Sequence, residues 1–379
     1  MDDLSDRARA WASTMRGHVG APSIRVAHNG PPPITSPRHL NDRLAKEDTE
    51  AASLATGATR AHGGGTRATA EPPDAIRTCF ERDRDRILHA AAFRRLAGKT
   101  QVFVFPEDHQ RTRLTHALEV AQVARSIAGA LHLNVALTEA IALGHDCGHG
   151  PGGHASEDAL SPYIAGGYDH AVWGADVALA ELNLCTETLD GIRNHSWSRP
   201  VPSTPEGAVV SWADRIAYVC HDFEDAVAAG VVEATALPAH IVAVCSATRR
   251  EQLATFIHGV IEAVATEGVV GMMEPAADAL AALRAFNYEH IYLRDASRAQ
   301  AKRVVDLLQA LVEHFAANPG LLPPRHTSAD LAAGSAESFR AAVTYVGGMT
   351  DRYAFRLART ELGWAPERVP AGIDVGAVR

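Results

Sequence analysis

Apolar residues recur along much of the chain with the period of an α-helix. Between Arg113 and Leu131, apolar or small side chains return every three to four residues, which predicts an amphipathic helix. Similar patterns predict helices over residues 76–96, 135–143, 168–182, 188–195, 209–229, 249–266, 276–288, 296–314 and 337–360. A break is expected at Gly347-Gly348 in the last of them, and residues 100–105 are expected to form a short strand or an extended connector. No strand alternation or repeat is sustained, so the predicted fold class is all-α.

The beginning of the chain has a different character. Residues 1 to about 75 contain Pro31-Pro32-Pro33, Gly63-Gly64-Gly65 and many Ala, Thr and Ser residues, which predicts an irregular or partly disordered segment. The helical pattern starts at Ile76. We therefore expect an N-terminal segment over 1–75, a core domain over 76–230, and a helical part over 231–379 that completes the same domain.

The composition is that of an ordinary soluble globular protein, with 46% hydrophobic and 21% charged residues. The net charge of −9 argues against a general nucleic-acid coat, although it leaves room for a local basic site. Aromatic residues make up only 6%, which gives little material for stacking single-stranded bases.

The cysteines and the first residues indicate the compartment. Five cysteines, an odd number without a Cys-x-x-Cys pair, predict neither a disulfide framework nor a zinc ribbon, and they favour a reducing environment. The acidic first residues lack an apolar signal region, and no run of about eighteen apolar residues occurs. We expect a cytoplasmic protein that does not enter a membrane.

One stretch, residues 144–157, combines three histidines, two carboxylates and five glycines. Histidine and aspartate are metal-ligand types, and the adjacent His145-Asp146 pair at a helix end can direct both donors at one cation. The glycines allow the backbone to approach a ligand closely. Glycine-rich turns and single His-Asp pairs are also ordinary surface features. The rest of the chain must therefore decide whether this stretch is a metal site or a surface turn.

Two further residues complete a ligand set. Asp214 lies among apolar residues of the helix predicted over 209–229, and a buried carboxylate is costly unless it is paired or bound to a metal. His116 lies in the first turns of the helix that begins near Arg113. Four candidate ligands for one divalent cation are therefore His116, His145, Asp146 and Asp214. Mixed imidazole and carboxylate ligands suit Mn²⁺, Mg²⁺, Fe²⁺, Ni²⁺ or Zn²⁺.

This order of residues, H…HD…D, is the signature of the HD superfamily of metal-dependent phosphohydrolases. Within it the chain resembles the deoxyguanosine triphosphate triphosphohydrolase (dGTPase) family over about residues 76–360. The matching stretches are Arg82–Ile87, Phe93–Leu96, Lys99–Phe103, Arg111–His116, Gly144–Glu157, Trp212–Tyr218 and Gly348–Tyr353. The resemblance implies an HD-domain helical bundle with additional C-terminal helices. It also implies hydrolysis of a deoxynucleoside triphosphate, with dGTP as the preferred guess, to deoxynucleoside and triphosphate.

The resemblance also implies roles for individual residues. The four ligands would hold the cation against the α-phosphate, and the departing sugar 5′-oxygen would need a proton donor, a task suited to histidine. His154 and His170 are preferred over His149 for this role. Glu157 lies three residues after His154, where it could orient the imidazole.

Substrate contacts follow from the same resemblance. Asp214, Tyr218 and Asp222 are spaced four residues apart on one helix face. In the resembled family, the aspartate at the Asp222 position bonds the sugar 3′-hydroxyl and the tyrosine at the Tyr218 position crowds the 2′ position, which selects deoxyribose. Arg113 matches a phosphate-contacting position, and Arg352 or Arg215 would add to it. The same row could also be an amphipathic surface of ordinary polar groups.

Other functions stay open at this point. Cys147 and the Gly150-Pro151-Gly152-Gly153 run depart from the residues usual in the resembled family, which puts the nucleotide preference in doubt. A different HD enzyme, such as a 5′-nucleotidase or phosphodiesterase, is one alternative. A non-catalytic regulator that binds nucleotide or nucleic acid is another. The resemblance further implies a homo-oligomer, and an activating nucleotide or single-stranded DNA as an additional partner.

Overall fold

Helices carry nearly all of the regular structure, which confirms the predicted all-α class. The structure, a computed structural model, describes residues 5–35, 39–104, 110–328 and 330–370. The helices are α1 (Asp6–Ser13), α2 (Arg43–Ser53), α3 (Cys79–His89), α4 (Ala91–Arg95), α5 (Arg113–Ala130), α6 (Val135–Gly144), α7 (Ala155–Leu160), α8 (His170–Trp173), α9 (Thr186–Asn194), α10 (Pro205–Ala228), α11 (Ala239–Cys245), α12 (Arg249–Glu267), α13 (Glu274–Asn287), α14 (Asp295–Ala317), α15 (Ala336–Gly347) and α16 (Asp351–Thr360). The strands among the described residues are β1 (His18–Ala21) and β2 (Ile24–Val26).

The chain divides into two units, residues 1–41 and 42–379. The first contains α1 and the antiparallel hairpin of β1 and β2, in which His18 lies opposite Val26. Neither α1 nor the two strands contain a buried residue. The second unit contains the remaining helices and both large hydrophobic clusters.

Two hydrophobic clusters hold the second unit together. In the larger, α5 packs against α6 and α10, and α3 packs against α6, around fully buried side chains such as Ile127, Ile141 and Val209. In the smaller, α14 packs against α7, α15 and α16 around Leu308 and Val343. Burying this apolar surface is the main stabilising contribution to the fold. None of the helices in the described ranges is long and apolar enough to cross a membrane.

Residues 42–75, part of the segment predicted to be irregular, contain one helix and are tied to the helical bundle. They contain α2, and beyond it the Arg67 guanidinium forms an ion pair with Asp83 of α3 in which both side chains are fully buried. Thr59 donates its amide and its hydroxyl to the carboxylate of Glu206, which is also buried. This stretch is attached to the bundle by polar contacts. Such contacts leave no apolar period in the sequence, so the pattern did not predict them.

Several predicted elements have different bounds in the structure. The helix predicted over 76–96 is interrupted at Ala90, whose ψ of 142° is extended, and it begins at a Thr78–Glu81 capping box. The helix predicted over 337–360 breaks after Gly347, as expected. Thr100 forms an isolated antiparallel bridge with Thr112, residues 101–104 form bends, and Phe105 lies outside the described residues.

Other differences concern short elements. The region predicted as helix over 168–182 contains only α8 followed by a π-helical turn over Gly174–Ala178 and a 3₁₀ turn. Helices α7 and α11, of six and seven residues, were not predicted because they are too short to establish a period. All five cysteines are free and buried.

Candidate metal centre and substrate cavity

Three helices bring the four predicted metal ligands together. Helix α5 carries His116, the end of α6 delivers His145 and Asp146, and α10 carries Asp214. The last residue of α6 is Gly144, where an added Cβ would come within 2.5 Å of the Ile192 side chain. A larger residue there would therefore force the Ile192 side chain of α9 to move.

The side-chain atoms of these residues converge on one point. His116 Nε2 lies 3.0 Å from Asp214 Oδ1, and His145 Nε2 lies 3.7 Å from the same oxygen. His145 Nε2 is also 3.4 Å from Asp146 Oδ1, and His116 Nε2 is 3.9 Å from Asp146 Oδ2. The sequence prediction named these four residues without knowing their distances, and the structure brings all four together.

The chemistry of these donors fits a divalent cation. His145 Nδ1 lies 2.6 Å from the Ala142 carbonyl, so it donates there and leaves Nε2 as the free lone pair. This Nε2 is buried and has no hydrogen-bond partner, which is costly without a ligand. Burial alone would raise the pKa of Asp214, but the hydrogen bond to His116 and the nearby His145 lower it, which favours the carboxylate.

A fifth residue at this centre, His195, follows the end of α9. Its ring centroid is 4.9 Å from that of His145, and its Nδ1 lies 2.8 Å from the Ile192 carbonyl. Burial, with the adjacent His145 and His170, lowers the pKa of His195 to about 3, so the imidazole is neutral. The sequence pattern predicted a helix over 188–195 but gave no reason to select His195, its last residue, as part of a site.

The three histidines proposed as proton donors have different surroundings. His149 is buried and stacks on His170, with ring centroids 3.7 Å apart, and its Nε2 lies 3.2 Å from Asp146 Oδ1. Burial, together with the charge of Arg113, lowers the pKa of His149 well below its usual value. His154 instead leaves 74% of its side chain exposed.

Glu157 links two of these histidines. Its Oε2 lies 3.2 Å from His154 Nδ1, the pairing predicted from their spacing, and its Oε1 lies 2.7 Å from His170 Nδ1. The same Oε1 accepts the backbone N–H of His170. Burial would lower the pKa of His170, but the hydrogen bond and charge of Glu157 outweigh it and raise that pKa.

Arg113, the first residue of α5, is also buried beside the ligands. Its Nη1 donates to Asp146 Oδ2 at 2.7 Å, while Nε and Nη2 are buried without a hydrogen-bond partner. Gly153 approaches it with a φ of +65°, and an added Cβ there would come within 2.9 Å of Arg113 Nη2. One edge of the guanidinium is therefore occupied, and the other remains available to an anionic oxygen.

A cavity of about 440 Å³ extends from these residues toward α13. Tyr218 and Asp222, predicted to meet the sugar, line its far end together with three residues that the sequence gave no reason to select, Arg284, Tyr288 and Tyr292. Tyr292 donates its hydroxyl to Asp222 Oδ2 at 2.5 Å, and Arg284 Nε donates to the Tyr218 hydroxyl at 2.7 Å. The π-helical turn over Tyr288–Tyr292 presents both tyrosines.

Three further arginines, two of them predicted to contact phosphate, lie in different surroundings. Arg215 lines the cavity, with its guanidinium carbon 3.3 Å from the centre of the Trp197 ring. Arg111 is held by ion pairs with Glu119, Glu224 and Asp225. Arg352 is not brought to the cavity: it lies on the outward face of the amphipathic α16 and lines a separate surface cleft. Its neighbour Asp351 is buried instead, and the substrate contact of Arg352 stays a prediction.

Comparison with known proteins agrees with this geometry. The HD domain profile matches residues 113–219, and the phosphohydrolase-associated domain profile matches residues 270–360. A deoxyguanosinetriphosphate triphosphohydrolase-like protein from Caldanaerobacter subterraneus is 40% identical over 319 residues, covering 82% of this chain and 93% of that protein. The chain belongs to this family. Proteins of the same description are 40% identical in Clostridium perfringens, over 75% of this chain and 86% of that protein, and 36% identical in Ralstonia nicotianae, over 84% and 97%.

Both matched regions of this HD phosphohydrolase contribute residues to the candidate site. The HD domain contains the four candidate ligands, the histidines around Glu157, and Tyr218. The phosphohydrolase-associated domain supplies Arg284 and Tyr292 to the far end of the cavity. HD domains bind divalent metals, and the His and Asp cluster of this protein has the donors for one.

Proposed function

We propose that this HD phosphohydrolase is a metal-dependent deoxynucleoside triphosphate triphosphohydrolase, which converts a dNTP and water to deoxynucleoside and triphosphate. The observation that carries the proposal is one continuous cavity. Three of the four candidate ligands, His116, Asp146 and Asp214, line it together with Arg113, Tyr218 and Asp222. The similarity to deoxyguanosinetriphosphate triphosphohydrolase-like proteins supports the same proposal.

His116, His145, Asp146 and Asp214 would hold one divalent cation, with Mn²⁺, Mg²⁺, Fe²⁺, Ni²⁺ and Zn²⁺ as the choices to test. Bound there, such a cation supplies a Lewis acid to a phosphoryl oxygen and lowers the pKa of an attacking water. Arg113 contributes positive charge fixed in position by Asp146, so it binds a phosphate oxygen without having to reorganise.

The proton for the leaving 5′-oxygen is assigned to His170. The attacking water would lose one proton to solvent as its oxygen bonds to the α-phosphorus; the bond from phosphorus to O5′ breaks, and O5′ takes a proton from His170. His170 has a raised pKa because Glu157 hydrogen-bonds to Nδ1, so its protonated form is available near neutral pH. His154 shares Glu157 but is exposed, and His149 has its pKa lowered, so both rank below His170.

Recognition of the sugar is assigned to the far end of the cavity. Asp222 Oδ1 is buried without a partner, so it offers an acceptor for the 3′-hydroxyl. The Tyr218 ring, fixed by the hydrogen bond from Arg284, would occupy the space that a 2′-hydroxyl needs. A deoxyribonucleotide is therefore favoured over a ribonucleotide, with dGTP as the first base to test.

Product analysis tests the reaction. Each dNTP and each NTP is incubated with Mn²⁺ or Mg²⁺, alone and in pairs, and the products are separated by chromatography. Tripolyphosphate with an equal amount of deoxynucleoside is expected. Orthophosphate from a nucleoside monophosphate would indicate a 5′-nucleotidase, and cleavage of a dinucleotide only would indicate a phosphodiesterase. Unchanged biological function of Asp146→Ala would indicate a non-catalytic regulator.

The paired incubations also test an activator. A second nucleotide or single-stranded DNA that accelerates hydrolysis without being consumed would establish the expected additional partner. We further expect a cytoplasmic homo-oligomer, whose size light scattering of the purified protein would give.

A further inference from the structure

The loop that carries His149 is held by residues near the C-terminal end of the chain. Residues 148–153, here called the glycine loop, connect the His145-Asp146 pair to α7 and include His149. Gly152 and Gly153 adopt φ values of +75° and +65°, and an added Cβ at Gly152 would come within 2.4 Å of Val304. The loop thus has a defined backbone path that few sequences could follow.

Asp351, the first residue of α16, binds this loop directly. Its Oδ1 accepts the Gly152 N–H at 2.9 Å, and its Oδ2 accepts both the backbone N–H and the hydroxyl of Thr100. The carboxylate is buried, with 3% of the residue exposed. One side chain therefore joins the start of α16 to the glycine loop and to the residue that follows Lys99.

Lys99 makes a second connection of the same kind. Its Nζ is buried and donates to the His149 carbonyl, inside the glycine loop, and to the Gly347 carbonyl at 3.0 Å, at the end of α15. The Tyr168 hydroxyl adds a hydrogen bond to the Gly148 carbonyl at 2.6 Å. Loop and helix junction are thus connected at both Lys99 and Asp351.

The loop in turn fixes the groups that meet the substrate. Gly153 lies against Arg113 Nη2, the free edge assigned to phosphate, and the His149 ring stacks on His170. A shift of the loop by an ångström would change both contacts. In catalysis, misplacement of that size lowers the rate more than it weakens binding, because orientation matters most in the transition state.

We propose that Asp351 and Lys99 are positioning residues, through which the α15–α16 junction holds the glycine loop in its catalytic geometry. Neither residue contacts the proposed substrate, so both act through His149, Gly152 and Thr100. This inference rests on the proposed function where it is tested by kcat, but it can also be tested by hydrogen exchange without any substrate.

The test compares Asp351→Asn with Asp295→Asn. Both replace the first residue of a helix, but Asp295 is exposed and is remote from the loop contacts, so Asp295→Asn is expected to behave as wild type. In Asp351→Asn an NH₂ group replaces one carboxylate oxygen. That group cannot accept a hydrogen bond, so the bonds from either Gly152 or Thr100 are lost. We expect kcat for the dNTP to fall at least 10-fold while KM changes less than about threefold.

Hydrogen–deuterium exchange provides a readout without substrate. Amides of residues 148–154 should exchange faster in Asp351→Asn than in wild type, while the peptides of α5 and α10 remain protected. Lys99→Met should reproduce the loop-specific exchange if Asp351→Asn does not fold. Unchanged exchange in the loop, or faster exchange throughout the protein, would overturn the inference. If no dNTP is hydrolysed, the proposed function fails, and the exchange result still decides whether the loop is held in this way.

Discussion

At the scale of single residues, Arg113 is the side chain to which we assign phosphate binding in the cavity. Its Nη1 donates to Asp146, Nε and Nη2 are buried without a hydrogen-bond partner, and the residue lines the cavity. Arg113→Lys keeps the charge but loses the planar fork, so kcat/KM should fall about 10- to 100-fold with metal content unchanged. Arg125→Lys on the exposed side of the same helix is the control. Equal kcat/KM in the two variants would remove Arg113 from phosphate binding.

His170 and His154 can be separated by substitution. His170→Asn should retain the metal, measured by elemental analysis, and lose at least about 100-fold in kcat because the proton donor is gone. His154→Asn should lose far less, since most of its side chain is exposed. Full kcat in His170→Asn would assign the proton-donor role to His154.

The pair of Asp222 and Tyr292 predicts a pH dependence. Burial raises the pKa of Asp222 to about 7, and the hydrogen bond from Tyr292 opposes that rise. Since the carboxylate is the stronger acceptor for a sugar hydroxyl, KM should increase as the pH falls through about 7. Tyr292→Phe removes a bond that favours the carboxylate, so this increase should move to higher pH. Tyr163→Phe, at a remote Glu313 contact, is the control, and superimposable profiles for all three proteins would contradict the assignment.

Sequence alone predicts some of these residues and not others, for physical reasons. His145 and Asp146 are adjacent, and Asp214 is a carboxylate in an apolar helix, so each has a local signal. His195, Arg284 and Tyr292 reach the cavity only through the packing of α9 and α13, which no local pattern describes. Arg352 belongs to a stretch that matches the family, but the sequence does not show which face of α16 is directed toward the cavity.

At the scale of elements, the buried pair of Arg67 and Asp83 attaches the stretch after α2 to the bundle. Arg67→Met would leave Asp83 buried with an uncompensated charge, so the free energy of unfolding should fall by about 3–5 kcal/mol. Urea denaturation measures this. Arg84→Met, which breaks a partly exposed pair with Asp85, should cost at most about 1 kcal/mol. Similar losses in both variants would mean that the buried pair has no special role.

The long helices were predictable because each has an apolar face of several turns. Helices α5, α6 and α12 lie within one or two residues of their predicted bounds. The break at Ala90 was not predictable, since alanine is a good helix former. The stretch over 54–75 has no periodic element at all, and it is ordered by its hydrogen bonds to Glu206 and Asp83.

At the scale of the whole molecule, metal binding should appear as stability. The cluster of His116, His145, Asp146 and Asp214 forms only in the folded chain, so a bound cation stabilises it by mass action, by about 2.7 kcal/mol at one hundred times the dissociation constant. Chelation should therefore lower Tm, and added Mn²⁺ should restore it. Asp214→Ala should show neither response. A response equal to wild type would remove Asp214 from the ligands.

The hydrogen bond between Gly152 and Asp351 joins residues that are 199 positions apart. During synthesis all four candidate ligands leave the ribosome while the residue that holds the glycine loop is still unmade. A nascent chain that ends before α15 would thus contain a complete set of metal donors beside an unsupported loop. Truncation before α15 should therefore remove the support that Asp351 gives to the glycine loop, even though the truncated chain contains all four candidate ligands.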